Sequence, residues 1–363
     1  MSKVAVAGGG TGGHVYPALA IGEELRSRGH EVIYYGDPTR LEGKVIPKRG
    51  LPFQPVHALQ YPRSGLMGKI RFAFGLLRSI WATRKQLRSD GIDAVIGVGG
   101  YISAPPVLAA ATMGLPRAVH EANVVPGLAN KLCAKVAQMV FLTFDATKKY
   151  FEGRRTELVG CPVRPAILKG ERESAKTRYG IADDMPVLLV VGGSLGAAKL
   201  NDLAMEAARH PGRQYAIVHI TGPRYHAEVQ EALSPIPENV TLVDYEHDMA
   251  GAYAASDLVV CRAGSSTLTE LTALGKPAVL IPSPNVAENH QEANARGLET
   301  AGAALVFTEK ELSNNHAAIS CLDRLFRDPQ ALTVMSEASS SMAQIDTAER
   351  IGTLVEENLL GAK

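Results

Sequence analysis

Four small apolar residues, Val4-Ala5-Val6-Ala7, run straight into Gly8-Gly9-Gly10-Thr11-Gly12-Gly13-His14. A short apolar run ending in a glycine cluster predicts a buried strand that turns tightly into a helix, because glycine permits the turn and lets a ligand approach the backbone. The same grammar returns at Leu188-Leu189-Val190-Val191-Gly192-Gly193-Ser194-Leu195-Gly196. Two such units predict two nucleotide-type α/β halves facing each other across a cleft, each with an anion cradle at a helix start. That layout suits movement of a group between two phosphorylated substrates.

A chain of 363 residues is long for one core and comfortable for two domains. No apolar run approaches the roughly 20 residues of a membrane-spanning helix, so none is expected. Met1-Ser2-Lys3 leads directly into the first strand. No signal peptide is expected there, and the predicted location is cytoplasmic. Cys133, Cys161, Cys261 and Cys321 are widely spaced with no Cys-x-x-Cys pair, which reads as four reduced core residues rather than a metal knuckle or disulfide framework.

A formal net charge of +1 suggests no particular partner, and no nucleic acid is expected, but the average hides a local imbalance. From Gly43 to Ser89 there is no Asp or Glu, whereas Lys44, Lys48, Arg49, Arg63, Lys69, Arg71, Arg78, Arg84, Lys85 and Arg88 are basic. Within it, residues 66–87 read as a helix with Ile70, Ala73, Phe74, Leu77, Ile80 and Trp81 at helical spacing, accompanied by Phe72 and Leu76. Phe72, Leu76 and Trp81 are the predicted contacts with an anionic membrane surface. A core-facing amphipathic helix with a solvated basic side is the alternative reading.

Alternating β and α signals predict parallel sheets wrapped by helices. Strands are expected at Val4–Ala7, Glu31–Tyr35, Ala94–Val98, Arg117–His120 and Met139–Leu142, then at Val187–Val191, Tyr215–Ile220, Val240–Val243, Leu258–Cys261 and Ala278–Ile281. The linker is placed in Val159-Gly160-Cys161-Pro162-Val163-Arg164-Pro165. Domains of 1–162 and 163–340 follow, with a C-terminal helical segment at 341–363 that packs back on the first; helical character extends from about Ala331 to Glu357.

Chemistry is sought in the loops at the carboxyl ends of the strands. Gly8-x-Gly10-x-x-Gly13 satisfies the dinucleotide fingerprint, but His14 enters the first helical turn with Pro17 shortly behind, where proline is tolerated. Near a helix N-terminus a histidine stays neutral and suits a general base; a purely structural hydrogen bond is the alternative. Ser194 in the second glycine loop offers a hydroxyl to an anion, or the loop is merely a tight turn. Gly264-Ser265-Ser266-Thr267-Leu268-Thr269-Glu270 opens a helix that could hold an anion. Glu270 either accepts from two vicinal ribose hydroxyls or forms a capping box with Thr267. His120 and Glu121 are an acid–base pair or loop-orienting groups. Residues 287–294 are a polar helix start that reads sugar hydroxyls or a solvated surface. There is no Asp-x-Asp and no His pair at metal-ligand spacing, so neither a metal nor a cofactor is expected.

Taken together, residues 9–17, Gly99-Gly100-Tyr101, His120-Glu121-Ala122-Asn123, Pro162-Val163-Arg164, residues 192–197 and the stretch from Gly264 to Glu270 closely resemble the MurG family of glycosyltransferases. The resemblance covers essentially the whole chain. It implies a GT-B fold, α/β with two Rossmann-like parallel-sheet domains facing across a cleft, and a peripheral enzyme on the cytoplasmic side of the cell membrane. It implies inverting, metal-independent transfer of N-acetylglucosamine from UDP-N-acetylglucosamine, held by the C-terminal domain. The acceptor is the C4 hydroxyl of lipid I, held by the N-terminal domain, and the product is lipid II. Other cell-wall synthesis proteins are implied as partners.

Residue by residue, the resemblance makes His14 the base and brings Thr11, Gly12 and Gly13 to a diphosphate. Asn123 contacts substrate. Arg164, Ser194, Ser265, Ser266 and Thr267 meet the donor phosphates, Glu270 the ribose and Gln291 the sugar hydroxyls. The chain departs from the family at Ala122, Leu195 and His290, where Gln is common. Three other classes fit part of the pattern: a nicotinamide or flavin oxidoreductase with Asp37 on the ribose, a non-catalytic sugar-nucleotide-binding scaffold, and a UDP-sugar epimerase.

Overall fold

The structure, a computed structural model, describes residues 1–58 and 65–361. Arg63 of the basic stretch lies outside the described residues. Contacts divide the chain into two compact units, one of residues 1–163 and 344–363, the other Arg164–Ala343.

The first unit is built on a sheet of β1 (Lys3–Ala7), β2 (Glu31–Gly36), β3 (Phe53–Pro55), β4 (Ala94–Gly97), β5 (Arg117–Glu121), β6 (Met139–Leu142) and β7 (Thr156–Leu158). Their order is β3-β2-β1-β4-β5-β6-β7, and each pairing is parallel. Its helices are α1 (Gly12–Ser27), α2 (Leu41–Val45), α3 (Leu66–Ser89), α4 (Ala104–Met113) and α5 (Leu128–Ala134). Alternate residues of a strand face opposite sides, so Val4 and Val6 enter one core with Val15, Leu19 and Leu25 of α1. Ala5 and Ala7 enter the other with Leu87 of α3 and Val107 of α4. Burial on both faces explains why these strands read as continuous apolar runs.

The second unit repeats the plan with β8 (Val187–Val191), β9 (Ala216–Ile220), β10 (Val240–Val243), β11 (Leu258–Cys261), β12 (Ala278–Leu280) and β13 (Ala304–Val306) in the parallel order β10-β9-β8-β11-β12-β13. Between and after the strands run α6 (Arg172–Tyr179), α7 (Ala198–Arg209), α8 (His226–Ala232), α9 (Met249–Ala255), α10 (Ser265–Ala273), α11 (His290–Thr300), α12 (His316–Arg327) and α13 (Pro329–Ser341). The chain then returns to the first unit as α14 (Thr347–Val355) and a π-helical turn over Glu356–Leu360. Ile351, Val355 and Leu359 share the core of β1 and α1. Arg28 donates to Glu356 Oε2 and to the Glu349 carbonyl, each at 2.8 Å.

Three points depart from the sequence reading. The edge strands β3, β7 and β13 are additional to those the sequence predicts; each spans three residues, too few to show periodicity. Pro17 is the sixth residue of α1, beyond the tolerant first turn, and withholds the N–H that would reach the Gly13 carbonyl. The helical stretch after Ala331 is two helices separated at residues 342–346.

Candidate active site

In both sheets the strand order reverses once, between β1 and β4 and between β8 and β11. Loops leaving two such strands diverge to opposite faces and open a crevice at their carboxyl ends. The predicted glycine loops sit at these places.

In the first unit the loop after β1 meets the loop after β4 backbone to backbone. Gly100 adopts φ +75, and a Cβ there would lie 2.3 Å from the Gly9 carbonyl; Gly99 adopts φ +90, and a Cβ there would lie 2.7 Å from Cδ2 and 3.0 Å from Nε2 of His14. The His14 ring thus rests on a surface that only glycine provides. On its other side Nδ1 lies 3.3 Å from Thr11 Oγ1. Gly12 and Gly13 are the first two residues of α1, so their N–H groups have no partner within the helix.

Beneath this loop, Tyr34 Oη donates to the Gly8 carbonyl at 2.8 Å, and the wholly buried Glu42 accepts from the N–H of Gly10 at 3.2 Å and of Asp37 at 3.3 Å. The Glu121 carboxylate is surrounded by donors of its own loop and of α5. Its Oε1 accepts from the N–H and Nδ2 of Asn123 at 2.9 and 3.3 Å, and its Oε2 from Asn130 Nδ2 at 2.9 Å and Gly127 N–H at 3.3 Å. Burial raises its pKa in spite of these donors. His120 donates from Nε2 to the Gly160 carbonyl at 2.7 Å, and burial lowers its pKa to about 4. Burial thus favours the neutral ring, and the partners of the two residues are a backbone carbonyl for His120 and loop N–H and amide groups for Glu121.

In the second unit Ser194 and Leu195 stand exposed on a turn closed by Gly196 N–H to the Gly193 carbonyl at 3.0 Å. Gly196 and Gly222 touch backbone to backbone, a Cβ on Gly222 lying 2.4 Å from the Gly196 nitrogen. Behind them Asn201 donates to the Thr221 carbonyl at 3.1 Å and accepts from His219 Nε2 at 2.9 Å. Burial pushes His219 down to about 4, so it too is neutral.

Gly264 caps α10 through extended backbone, and Ser265, Ser266 and Thr267 form its first turn. Thr267 is therefore inside the helix, and no capping box with Glu270 forms. The Glu270 carboxylate instead accepts from Arg164 Nε at 3.0 Å and Nη2 at 2.7 Å, and from Tyr253 Oη at 3.3 Å. Burial raises the Glu270 pKa, against the lowering effect of Arg164 and Tyr253. The oxygen of Gln291, in the first turn of α11, accepts from Ser283 N–H at 2.8 Å, so its amide Nε2 is what it can offer a hydroxyl. Among the described residues no group of three His, Cys, Asp or Glu side chains is placed to hold a metal ion.

The three residues predicted to contact a membrane differ in exposure, Trp81 being open to solvent. On α3, Phe72 and Leu76 are half-buried. The outward stripe is Met67, Ile70, Phe74, Leu77 and Trp81, which are 78%, 43%, 69%, 54% and 64% exposed. These recur every three or four residues and form one helical face. Lys69, Arg71, Arg78 and Lys85 are exposed beside it, and the Arg84 guanidinium lies 5.7 Å from the Trp81 ring centroid. Among the described residues no helix is long and apolar enough to cross a membrane.

Sequence reasoning missed Glu42, Tyr34, Tyr253 and Asn201, whose partners lie far along the chain and leave no local pattern.

The glycosyltransferase family 28 N-terminal domain matches residues 4–142, and the family's C-terminal domain matches residues 187–351. The UDP-N-acetylglucosamine–N-acetylmuramyl-(pentapeptide) pyrophosphoryl-undecaprenol N-acetylglucosamine transferase of Halalkalibacterium halodurans is 36% identical over 98% of this chain and 99% of its own. Its counterpart from Halothermothrix orenii is 36% identical over 99% and 100%. The crystal structure of Acinetobacter baumannii MurG is similar with a TM-score of 0.79 at 29% identity, covering 98% of this chain and 100% of that one. The chain belongs to glycosyltransferase family 28 and, within it, to the MurG family.

Proposed function

We propose that this protein transfers N-acetylglucosamine from UDP-N-acetylglucosamine to the C4 hydroxyl of the N-acetylmuramoyl group of lipid I, giving lipid II, at the cytoplasmic face of the membrane. The reaction class rests on full-length likeness to transferases of that name. The observation that carries the assignment of roles is the pairing of glycine loop and helix start at both crevices, with His14 at one and Arg164–Glu270 at the other.

In this reading the first unit takes the acceptor. His14, whose Nδ1 lies 3.3 Å from Thr11 Oγ1, is the base, and its Nε2 takes the proton of the C4 hydroxyl. The freed oxygen pair attacks C1 of the donor sugar as the C1–O bond to UDP breaks, inverting the anomeric centre from α to β. The bond's electrons leave with UDP. Arg164, the Ser194 loop and the first turn of α10 meet the departing diphosphate, supplying cationic and N–H stabilisation from the chain itself without a metal. Glu270 holds the ribose and Gln291 the sugar, while Asn123 contacts the acceptor. The stripe on α3 enters the interface where the lipid of the acceptor resides, and its cations face anionic headgroups.

The test is transfer of radiolabelled sugar from UDP-N-acetylglucosamine to a short-chain lipid I analogue in EDTA, with UDP-N-acetylgalactosamine as competitor. Metal-independent formation of a β-linked product, selective for the gluco donor, is expected. Donor turnover to another UDP-sugar without acceptor would identify an epimerase instead.

A further inference from the structure

The glycine loop of the first unit has five glycines among residues 8–13 and therefore no side chains of its own, apart from Thr11, with which to hold a shape. Ordering such a segment costs about 1–2 kcal/mol per residue in backbone entropy. Something outside the loop must hold it.

Glu42 is the one carboxylate wholly buried among the described residues, with no exposed surface, and it lies against this loop. It stands on the short helix α2, 32 positions from its partner, and the two oxygens divide their work: Oε2 accepts from Gly10 N–H at 3.2 Å, Oε1 from Asp37 N–H at 3.3 Å. The fit around it is closed. A Cβ on Gly9 would come within 2.1 Å of Oε1, and one on Gly36 within 2.8 Å of Cγ. Its own helix is seated by Gly43, where a Cβ would lie 2.2 Å from the Pro38 carbonyl. Both oxygens meet donors, which suits a group that only accepts.

We propose that Glu42 is a positioning residue for the transfer reaction: by drawing the Gly10 N–H inward it sets the course of residues 10–14. It thereby fixes both the Thr11–His14 pair and the direction of the Gly12 and Gly13 N–H groups. Gly10 N–H is consequently not a ligand of the acceptor diphosphate, and the anion is met only from Thr11 onward. The catalytic part of this inference rests on the reading of the loop as the acceptor side.

The test uses the full chain and the near-isosteric Glu42→Gln variant, whose amide oxygen can serve one N–H while its NH₂ opposes the other. Kinetics with each substrate varied in turn should show kcat/KM for the lipid I analogue down by about tenfold or more, with donor KM within about twofold. A purely structural role would not separate the two substrates. A second readout needs no catalysis: amide exchange at Gly10 should accelerate by about tenfold or more in the variant while core strands β1 and β4 keep their protection. Unchanged Gly10 exchange, or equal loss on donor and acceptor, would overturn the proposal. Wild-type protein that exchanges as expected but transfers no sugar would sink the functional reading and leave Glu42's hold on the loop standing.

Discussion

The guanidinium of Arg164 closes on one oxygen of Glu270, with Nε at 3.0 Å and Nη2 at 2.7 Å, while Tyr253 reaches the other oxygen. These two groups, proposed above for donor phosphate and donor ribose, thus pair with each other. In the proposed donor site, binding is expected to exchange part of this pairing for hydrogen bonds from the ribose hydroxyls. Glu270→Gln keeps the shape but removes the charge. A charge-assisted hydrogen bond contributes about 1.5–3 kcal/mol, so donor KM should rise roughly 10–100-fold with acceptor KM little changed. Titration calorimetry with UDP-N-acetylglucosamine measures the same loss, and unaltered donor affinity would remove Glu270 from the donor site.

His14→Ala should lower kcat by roughly 10²–10⁴-fold, the range for loss of a general base, and leave donor affinity intact. Gly99→Ala provides an independent check, since its Cβ would strike the ring edge carrying Nε2. It should also cut kcat by at least about tenfold through displacement of the base. Full activity in both variants would assign the proton to another group.

On α3 the outward and inward side chains should separate two properties. Replacing Phe74 and Trp81 by Ser, at 69% and 64% exposure, should weaken sedimentation with anionic vesicles by roughly tenfold or more while the melting temperature barely moves. Phe72→Ala, at a half-buried site, should lower the melting temperature with a smaller effect on vesicle binding. The reverse pattern would show that the stripe does not meet lipid.

Two buried histidines make each unit sensitive to acid. His120 and His219 both have pKa values near 4, below the ordinary 6.5, because burial disfavours the charged ring. A depressed folded-state pKa means that the unfolded chain binds the proton more readily. The stability they contribute is complete above about pH 6.5 and is lost as pH falls toward 4, by roughly 3 kcal/mol each. Denaturant melts between pH 7 and 4 should show this slope, and His219→Gln should flatten that part which belongs to the second unit.

Most of the architecture was legible because parallel strands buried on both faces leave dense apolar runs, and their loops are written in glycine. Val4–Ala7 and Val187–Val191 could be read with little error for that reason. What escaped was short or long-range. Three-residue edge strands carry no periodicity, and the partnership of Glu42 with Gly10 spans residues with nothing in common but their place in the fold. On α3 the helical spacing was visible, but Phe72 and Leu76 are separated from Phe74 and Leu77 only by which face α4 and the sheet already occupy.

The amino-acid order by itself determined the two α/β units, the glycine loops after β1 and β8, His14 at a helix start and the acid-free basic stretch, since each is a local pattern of residue type and spacing. Tertiary structure alone decided that Arg164 meets Glu270, that Glu121 binds the donors of its own loop and His120 the Gly160 carbonyl, that Glu42 holds Gly10 and that Met67, Ile70, Phe74, Leu77 and Trp81 are the large apolar side chains of α3 left facing outward. Those outcomes depend on burial and on contacts between distant segments, and neither hydrogen-bond partners nor desolvation are fixed until the sheet brings the segments together.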